Sequence, residues 1–383
     1  MGQSIHHKIG IGGLALSVLV CVASACSDSA GPSQIPKGLA NCQGMTQLTV
    51  PPVDMGAIRD LAPLGSLNPP AHTLPTDHLY LSANIVAGAA TVVVAVVAPG
   101  DMVISEVRSR SGGIPDYAMT FFPCADLMMY FSHLGTLSAD LTAKIGPITS
   151  CDPPYTTGGV TTVSCAKRVE IRVTAGTPLG TMGGDFGNIL DWGGNDRRVP
   201  PLAFINSARS YGSGDFGQQN AICPVDYFVP SVATALRTRF SGLLGKRTIE
   251  PVCGTIMQDV PNTAQGRWYF NDIPQDDPHL ALAHDNVDPR VGTISMGTSV
   301  PSLPTNPWSF TPATSGRVNT DFPRVTADGR IYCYQTFFGS RPPTHALIQL
   351  IAPTRVRIEG VPGTICGDPS GWAFSAAARE FTR

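Results

Sequence analysis

The side chains best suited to chemistry fall in three short segments. His72, Asp77 and His78 crowd into HTLPTDH, where Pro75 stiffens the turn. His133 stands in YFSHLGTLS and Asp191 in NILDWGGND. Imidazole nitrogens and carboxylate oxygens are donors that zinc accepts, and His72, Asp77, His78 and Asp191 are the residues that would supply them. His133 would hold a proton or orient a water, the work of a general acid or base. Each residue alone also has a structural role open to it. A His beside a strand hydrogen-bonds its neighbours, and Asp77 can cap the turn it occupies.

Other chemistries are excluded by absence of their signatures. The chain has no GxSxG elbow, phosphate-binding loop, dinucleotide fingerprint, HExxH or EF-hand loop. With a net charge of −2 and no basic cluster, nucleic acid is not an expected partner. In the second half, His279 and His284 of HLALAHDNVD are an odd number of residues apart. On a strand they point to opposite faces, which argues against a shared metal. Asp276, Asp277, Asp285 and Asp288 flank that strand and offer oxygens to calcium. Aromatics from Trp268 to Phe338 could stack on sugars, but strand propensity and core packing account for most of them.

The elements that must position these residues are strands. Of 383 residues, 40 are Gly and 34 Pro, too many breakers for ordinary helical domains, while 43% are hydrophobic and only 14% charged. LYLSANIV and TVVVAVVAP flank AGAA and suggest a hairpin of buried strands; the Val content and the Pro99–Gly100 stop argue against a membrane span. YAMTFFP, VEIRVTA and PLGTMGG continue the pattern, and RWYFN, HLALAHD, VGTISMG, GRIYCYQTFF, HALIQLIAP and RVRIEGV resume it after one helix. That helix is expected over Ser231–Gly245, capped by Ser231 and ended by Gly245, with Val232, Leu236, Phe240, Leu243 and Leu244 on one face.

The N-terminus sets the compartment. Lys8 precedes an apolar run from Ile9 to Val22, and Ala23, Ser24 and Ala25 lead into Cys26. This is the layout of a secretory signal peptide. The cysteine after the small residues resembles a bacterial lipoprotein signal, with Ala23 where Leu is usual. The resemblance implies lipidation at Cys26 and a membrane tie through acyl chains. Ser27 is compatible with the outer membrane. Apart from Cys21 and Cys26, eight cysteines remain, an even set with no CxxC, which favours disulfides in an exported protein. Cys151–Cys165 is the pairing the loop between them suggests.

The order of the segments over about residues 60–200 resembles the lysostaphin-type zinc endopeptidases that cut peptidoglycan cross-links. HTLPTDHLYL stands at the family's His-x-x-x-Asp motif, VVAPGDMVISEV follows, YFSHLGTLS resembles Tyr-x-His-Leu with Phe131 in the Tyr place, VTAGTPLGTMGG matches the Gly-containing turn with Leu179 for Ile, and NILDWGG takes the place of the closing His-x-His strand. The resemblance implies one zinc ion and a metal set drawn from His72 or His78, Asp77 and Asp191, with His133 at a catalytic position. Three departures stand out. His72 to Asp77 is five residues rather than four, Ser82 holds the spacing from His78 without a carboxylate, and Ile189 and Asp191 replace both His of His-x-His. Ile cannot move a proton or hold an oxyanion, so hydrolysis by the family's route loses a central part.

The expectation is a mainly β chain. Residues 1–25 are a signal peptide and 26–50 a linker. A peptidase-like antiparallel domain spans 51–228, a linking helix 229–247, and a β-sandwich or barrel-like accessory domain 248–383. The reading leans away from an enzyme. It is an envelope lipoprotein facing the periplasm or exterior that binds peptidoglycan, a glycan or a partner protein. The alternatives left open are an active zinc hydrolase cutting peptidoglycan cross-links and a structural surface protein.

Overall fold

The side chains that carry the site alternate with those that carry the core, and this alternation organises the first half of the chain. A computed structural model describes residues 35–84, 93–111, 115–157, 160–183, 188–209, 216–335 and 344–383. The signal segment, Cys26, the AGAA turn, Phe337 and Phe338 lie outside these residues.

The first half is built on one antiparallel sheet. Its strands are β1 (Ile58–Ala62), β2 (His78–Ala83), β3 (Ala95–Val97), β4 (Met102–Ser111), β5 (Asp116–Cys124), β6 (Leu127–Leu137), β7 (Ser150–Cys151), β8 (Tyr155–Thr157), β9 (Val160–Val173), β10 (Pro178–Met182) and β11 (Ile189–Asp196). Their spatial order is β1-β2-β11-β6-β5-β4-β9-β7, with β10 bridging β3 and β6. The expected hairpin between β2 and β3 does not form. β2 already has a partner on each side, β1 and β11, and β3 pairs with β10 instead.

One face of this sheet is apolar. Leu79 and Leu81 of β2, Leu190 and Trp192 of β11, and Met129 and Phe131 of β6 are fully buried. Burying such side chains stabilises by about 1.5–3 kcal/mol each. Trp192 packs edge-on against Phe228, 5.5 Å between ring centres, which brings the segment after the sheet down onto this face.

Two helices are present among the described residues. α1 (Ala139–Ile145) was not expected from the sequence. Ser138 caps it by accepting from the Leu141 amide, and Gly146 closes it at φ 63°. α2 (Pro230–Arg237) is shorter than the expected Ser231–Gly245 and starts one residue earlier, with Pro230 in its first turn. It stops because the Thr238 hydroxyl bonds back to the Ala235 carbonyl and the chain then turns through a small hairpin, β12 (Ser241–Gly242) and β13 (Gly245–Lys246). Leu236 and Phe240 remain in the core, whereas Leu243 is fully exposed at the hairpin tip.

The second half contains two four-stranded antiparallel sheets. One is β14 (Gly266–Trp268), β15 (Leu280–His284), β16 (Gly292–Met296) and β17 (Asn306–Phe310). The other is β18 (Tyr332–Tyr334), β19 (Thr344–Ala352), β20 (Arg355–Pro362) and β21 (Arg379–Thr382). They share one core, in which Trp268, Trp308, Phe310 and Tyr334 meet Ile348, Ile358 and Phe381. This is sandwich packing, and it buries most of the aromatics that the sequence offered for stacking on sugars.

All eight remaining cysteines pair: Cys42–Cys124, Cys151–Cys165, Cys223–Cys253 and Cys333–Cys366. Such a set belongs to a protein that folds outside the reducing cytoplasm. Among the described residues no helix is long and apolar enough to cross a membrane.

Candidate functional site

Three neighbouring strands place the polar residues in register. His78 of β2 stands opposite Gly193 of β11, which stands opposite Tyr130 of β6. One step along, Tyr80 faces Asp191, and Asp191 faces Ser132. Since side chains alternate across a strand, these residues share the face opposite Leu79, Leu190, Trp192 and Phe131. Ile189, paired with Ser82, lies on the same polar face as Asp191.

His133 reaches this face through a bulge. Tyr117 pairs with Leu134 and Met119 with Phe131, so Ser132 and His133 together oppose the single residue Ala118. His133 sits at φ 68°, in the left-handed region that non-glycine residues seldom occupy. A regular strand would send its side chain away from Asp191. The bulge re-aims it, and His133 Nε2 comes to 3.1 Å from Asp191 Oδ2.

The result is a continuous polar ladder. The Tyr130 hydroxyl donates to Asp77 Oδ1 at 3.0 Å, and the same oxygen lies 3.2 Å from His78 Nδ1. His78 Nε2 is 3.5 Å from Asp191 Oδ2. His133 Nδ1 is 3.2 Å from Asp116 Oδ2, and Arg110 approaches that oxygen at 3.6 Å. The His72 ring stands edge-on to His78, 5.2 Å between centres. The structure thus gathers His72, Asp77, His78, His133 and Asp191 into one cluster.

The second half of the chain helps close it. Gln218 Nε2 donates to Asp77 Oδ2 at 3.4 Å, and Arg267 of β14 donates to Gln218 Oε1 at 2.6 Å and to the Pro75 carbonyl at 3.3 Å. Arg267 also lies over the Phe204 ring. His78 and Asp191 are 7% and 5% exposed. His72, Asp77 and Tyr80 keep partial exposure and form the rim.

Burial and mutual charge set the protonation states. Burial disfavours a charge on His133, but hydrogen bonds and charge from Asp116 and Asp191 overcome it and hold its pKa at about 9. His78 is raised in the same way, against burial, by Asp191 and Asp77. Burial, with the charge of the neighbouring His78, lowers His72 to about 4, outweighing the opposite pull of Asp191 and Asp77. Asp77 is held at about 2 in spite of burial by His78, Tyr130 and Arg267. Asp191 is lowered, again against burial, by His78 and His133. Burial and the nearby carboxylates push the Tyr80 and Tyr130 hydroxyls well up, so both stay neutral.

For zinc, the donor types are suitable, but the arrangement differs from the expected set. Asp77 faces Nδ1 of His78 on the outer side of that ring, not the side where His78 and Asp191 meet. Among the described residues, no three His, Cys, Asp or Glu side chains already stand as a metal's ligand set; here imidazoles and carboxylates face one another. Four buried atoms of the cluster, His78 Nε2, the Tyr80 hydroxyl, Asp116 Oδ1 and Asp191 Oδ1, have no hydrogen-bond partner among the described residues.

Asp116, Tyr130, Gln218 and Arg267 were not singled out from the sequence. Asp116 carried a faint signal, as a carboxylate opening an otherwise apolar strand. Away from this cluster, His279 accepts from the Phe270 amide and His284 meets Asp321, so the two imidazoles serve separate contacts. Asp285 accepts from the Val287 and Asp288 amides and Asp288 pairs with Arg290, which makes both of them turn residues.

No family model matches the chain, and no curated protein and no solved structure is significantly similar to it. Function is therefore read from the site itself.

Proposed function

We propose that the chain is an envelope lipoprotein, anchored through Cys26, whose first β-domain keeps the layout of a lysostaphin-type peptidase site and binds peptidoglycan without cutting it. The observation that carries this reading is the pairing across the polar face. Asp77, Asp116 and Asp191 are each met by an imidazole, while Ile189, on the same face of β11, offers nothing to activate water or hold an oxyanion. Gln218 and Arg267 also shield the cluster from a polymer. Binding would use the rim of His72, Asp77 and Tyr80, where a stem peptide's amine and carboxyl groups would find complementary polar atoms.

The convergence of His78, His133 and Asp191 favours one competing reading, an active zinc hydrolase. Co-sedimentation of the purified exported chain with insoluble peptidoglycan, beside assay of released fragments with and without chelator, separates the two. Binding without release supports the proposal. Release that stops with chelator supports the hydrolase.

A further inference from the structure

We propose that the chain cuts its own Asp277–Pro278 peptide bond, with the Asp277 carboxyl as nucleophile and Thr298 holding the carbonyl oxygen under attack. This activity belongs to the second half of the chain and stands apart from the reading of the polar cluster.

The bond is of a type that can break in this way. An Asp carboxyl is tethered to the carbonyl carbon it would attack, so the reaction has the advantage of an intramolecular one. The Pro278 nitrogen has no N–H and is a tertiary amide. In the first step an Asp277 carboxyl oxygen bonds to the residue's own carbonyl carbon. The bond from that carbon to the Pro278 nitrogen breaks, and the carboxyl proton goes to the nitrogen, which leaves as a secondary amine. Water then opens the cyclic anhydride left on Asp277 and gives two carboxyl groups. One peptide bond and one water are thus converted to an acid and an amine.

Two observations single out this bond. First, the Asp277 carbonyl oxygen accepts from both the Thr298 amide, at 2.6 Å, and the Thr298 hydroxyl, at 3.2 Å. Donors fixed on a carbonyl oxygen stabilise the negative charge that develops there on attack. Of the four Asp-Pro bonds in the sequence, two others lie in turns, where the Asp288 and Asp368 carbonyls accept single amides from Val291 and Gly371. Second, the chain leaving β16 approaches this bond more closely than a side chain allows. A Cβ on Gly297 would fall 2.1 Å from the Asp277 carbonyl oxygen and 2.9 Å from its carbon. The Gly297 amide donates to the His279 carbonyl at 3.0 Å, and the Ser299 hydroxyl donates to the Pro278 carbonyl. Gly297, Thr298 and Ser299 therefore fix the carbonyls on both sides of the bond. Thr298 is exposed, so water can reach the anhydride.

Each disulfide lies wholly before or wholly after the cut. The pieces are held together instead by pairing of β14 with β15 and of Tyr269 with Thr382.

The test is incubation of the purified exported chain, followed by denaturing gels without reductant and by intact-mass spectrometry. Two fragments are expected, one beginning at Pro278, with masses that sum to the whole chain plus one water. Gel filtration should keep them as one species. The rate should be first order and independent of chain concentration and of protease inhibitors. Asp277→Ala should abolish cleavage, and Asp288→Ala should leave it unchanged. Thr298→Val keeps the amide but loses the hydroxyl, and should slow cleavage about 100-fold. A chain that stays whole overturns the proposal. So does cleavage that persists in a folded Asp277→Ala variant, stops with inhibitors or speeds up with concentration. Should Asp277→Ala fail to fold, the exposed Thr298→Val variant decides, and a wild-type rate in it overturns the assignment.

Discussion

The ring of Tyr130 lies directly across Gly193. A Cβ placed on Gly193 would fall 2.2 Å from Tyr130 Cζ and 2.3 Å from its hydroxyl oxygen. Only glycine at this position lets the tyrosine cross β11 and reach Asp77 on the far side. Gly193→Ala should therefore expel the ring, break the Tyr130–Asp77 hydrogen bond and destabilise the fold by about 1–3 kcal/mol, the usual scale of overpacking. Urea unfolding of the variant beside Tyr130→Phe checks this. Tyr130→Phe should lose only the hydrogen bond, about 1 kcal/mol. Equal losses in the two variants would mean that the close approach does not matter.

Arg267 links the two halves of the chain at the site. Replacing it with Met keeps much of the stem but leaves Gln218 Oε1 and the Pro75 carbonyl without this donor. A loss of about 2–4 kcal/mol is expected from two buried acceptors left short. Amide exchange should also speed up in residues 72–77 relative to β4 and β5. Unchanged exchange in that loop would show that Arg267 does not hold it.

Stability of the metal-free chain should peak near neutral pH, with opposite causes on either side. His133 has a folded pKa of about 9 against an ordinary 6.5, so its contribution is fully present below about 6.5 and is lost as pH rises through 9. His72 and His279 have folded values of about 4. The unfolded chain takes up their protons first, so stability falls as pH drops from about 6.5 toward 4. Asp77, held at about 2, adds a further loss below its ordinary value of 3.8. His133→Gln should flatten the alkaline limb and leave the acid limb in place. Thermal melts across pH 4–10 read both.

The disulfide Cys42–Cys124 spans 82 residues and ties the segment before β1 to the end of β5. On the chain-entropy argument, the double variant Cys42→Ser, Cys124→Ser should lose about 4–5 kcal/mol. Removal of Cys151–Cys165, with a separation of 14, should lose about 3 kcal/mol. Denaturant midpoints of the two variants give the order.

Strand content was legible in the sequence because Gly, Pro and β-branched runs act locally. The pairing of those strands was not. Nothing near LYLSANIV reveals that β11, more than a hundred residues later, fills the place beside β2 where a hairpin partner was expected. The helix beginning at Pro230 was foreseen, but its end was misplaced. Leu243 and Leu244 continue a helical spacing, while Thr238 and the two glycines of the following hairpin override it. At the site, His78, His133 and Asp191 could be named from residue type and order. The bulge that turns His133 inward, and the supporting Asp116, Gln218 and Arg267, depend on register and on contacts between halves that no short motif encodes.

The central claim is that the polar face of the first sheet recognises peptidoglycan without breaking it. The most direct measurement is chromatography of the soluble products after the purified exported chain, supplied with zinc, is incubated with purified sacculi. The account predicts that the chain sediments with the sacculi and that no cross-linked peptide is opened. Release of peptide fragments that ceases on adding a chelator, or in Asp191→Asn, would contradict it.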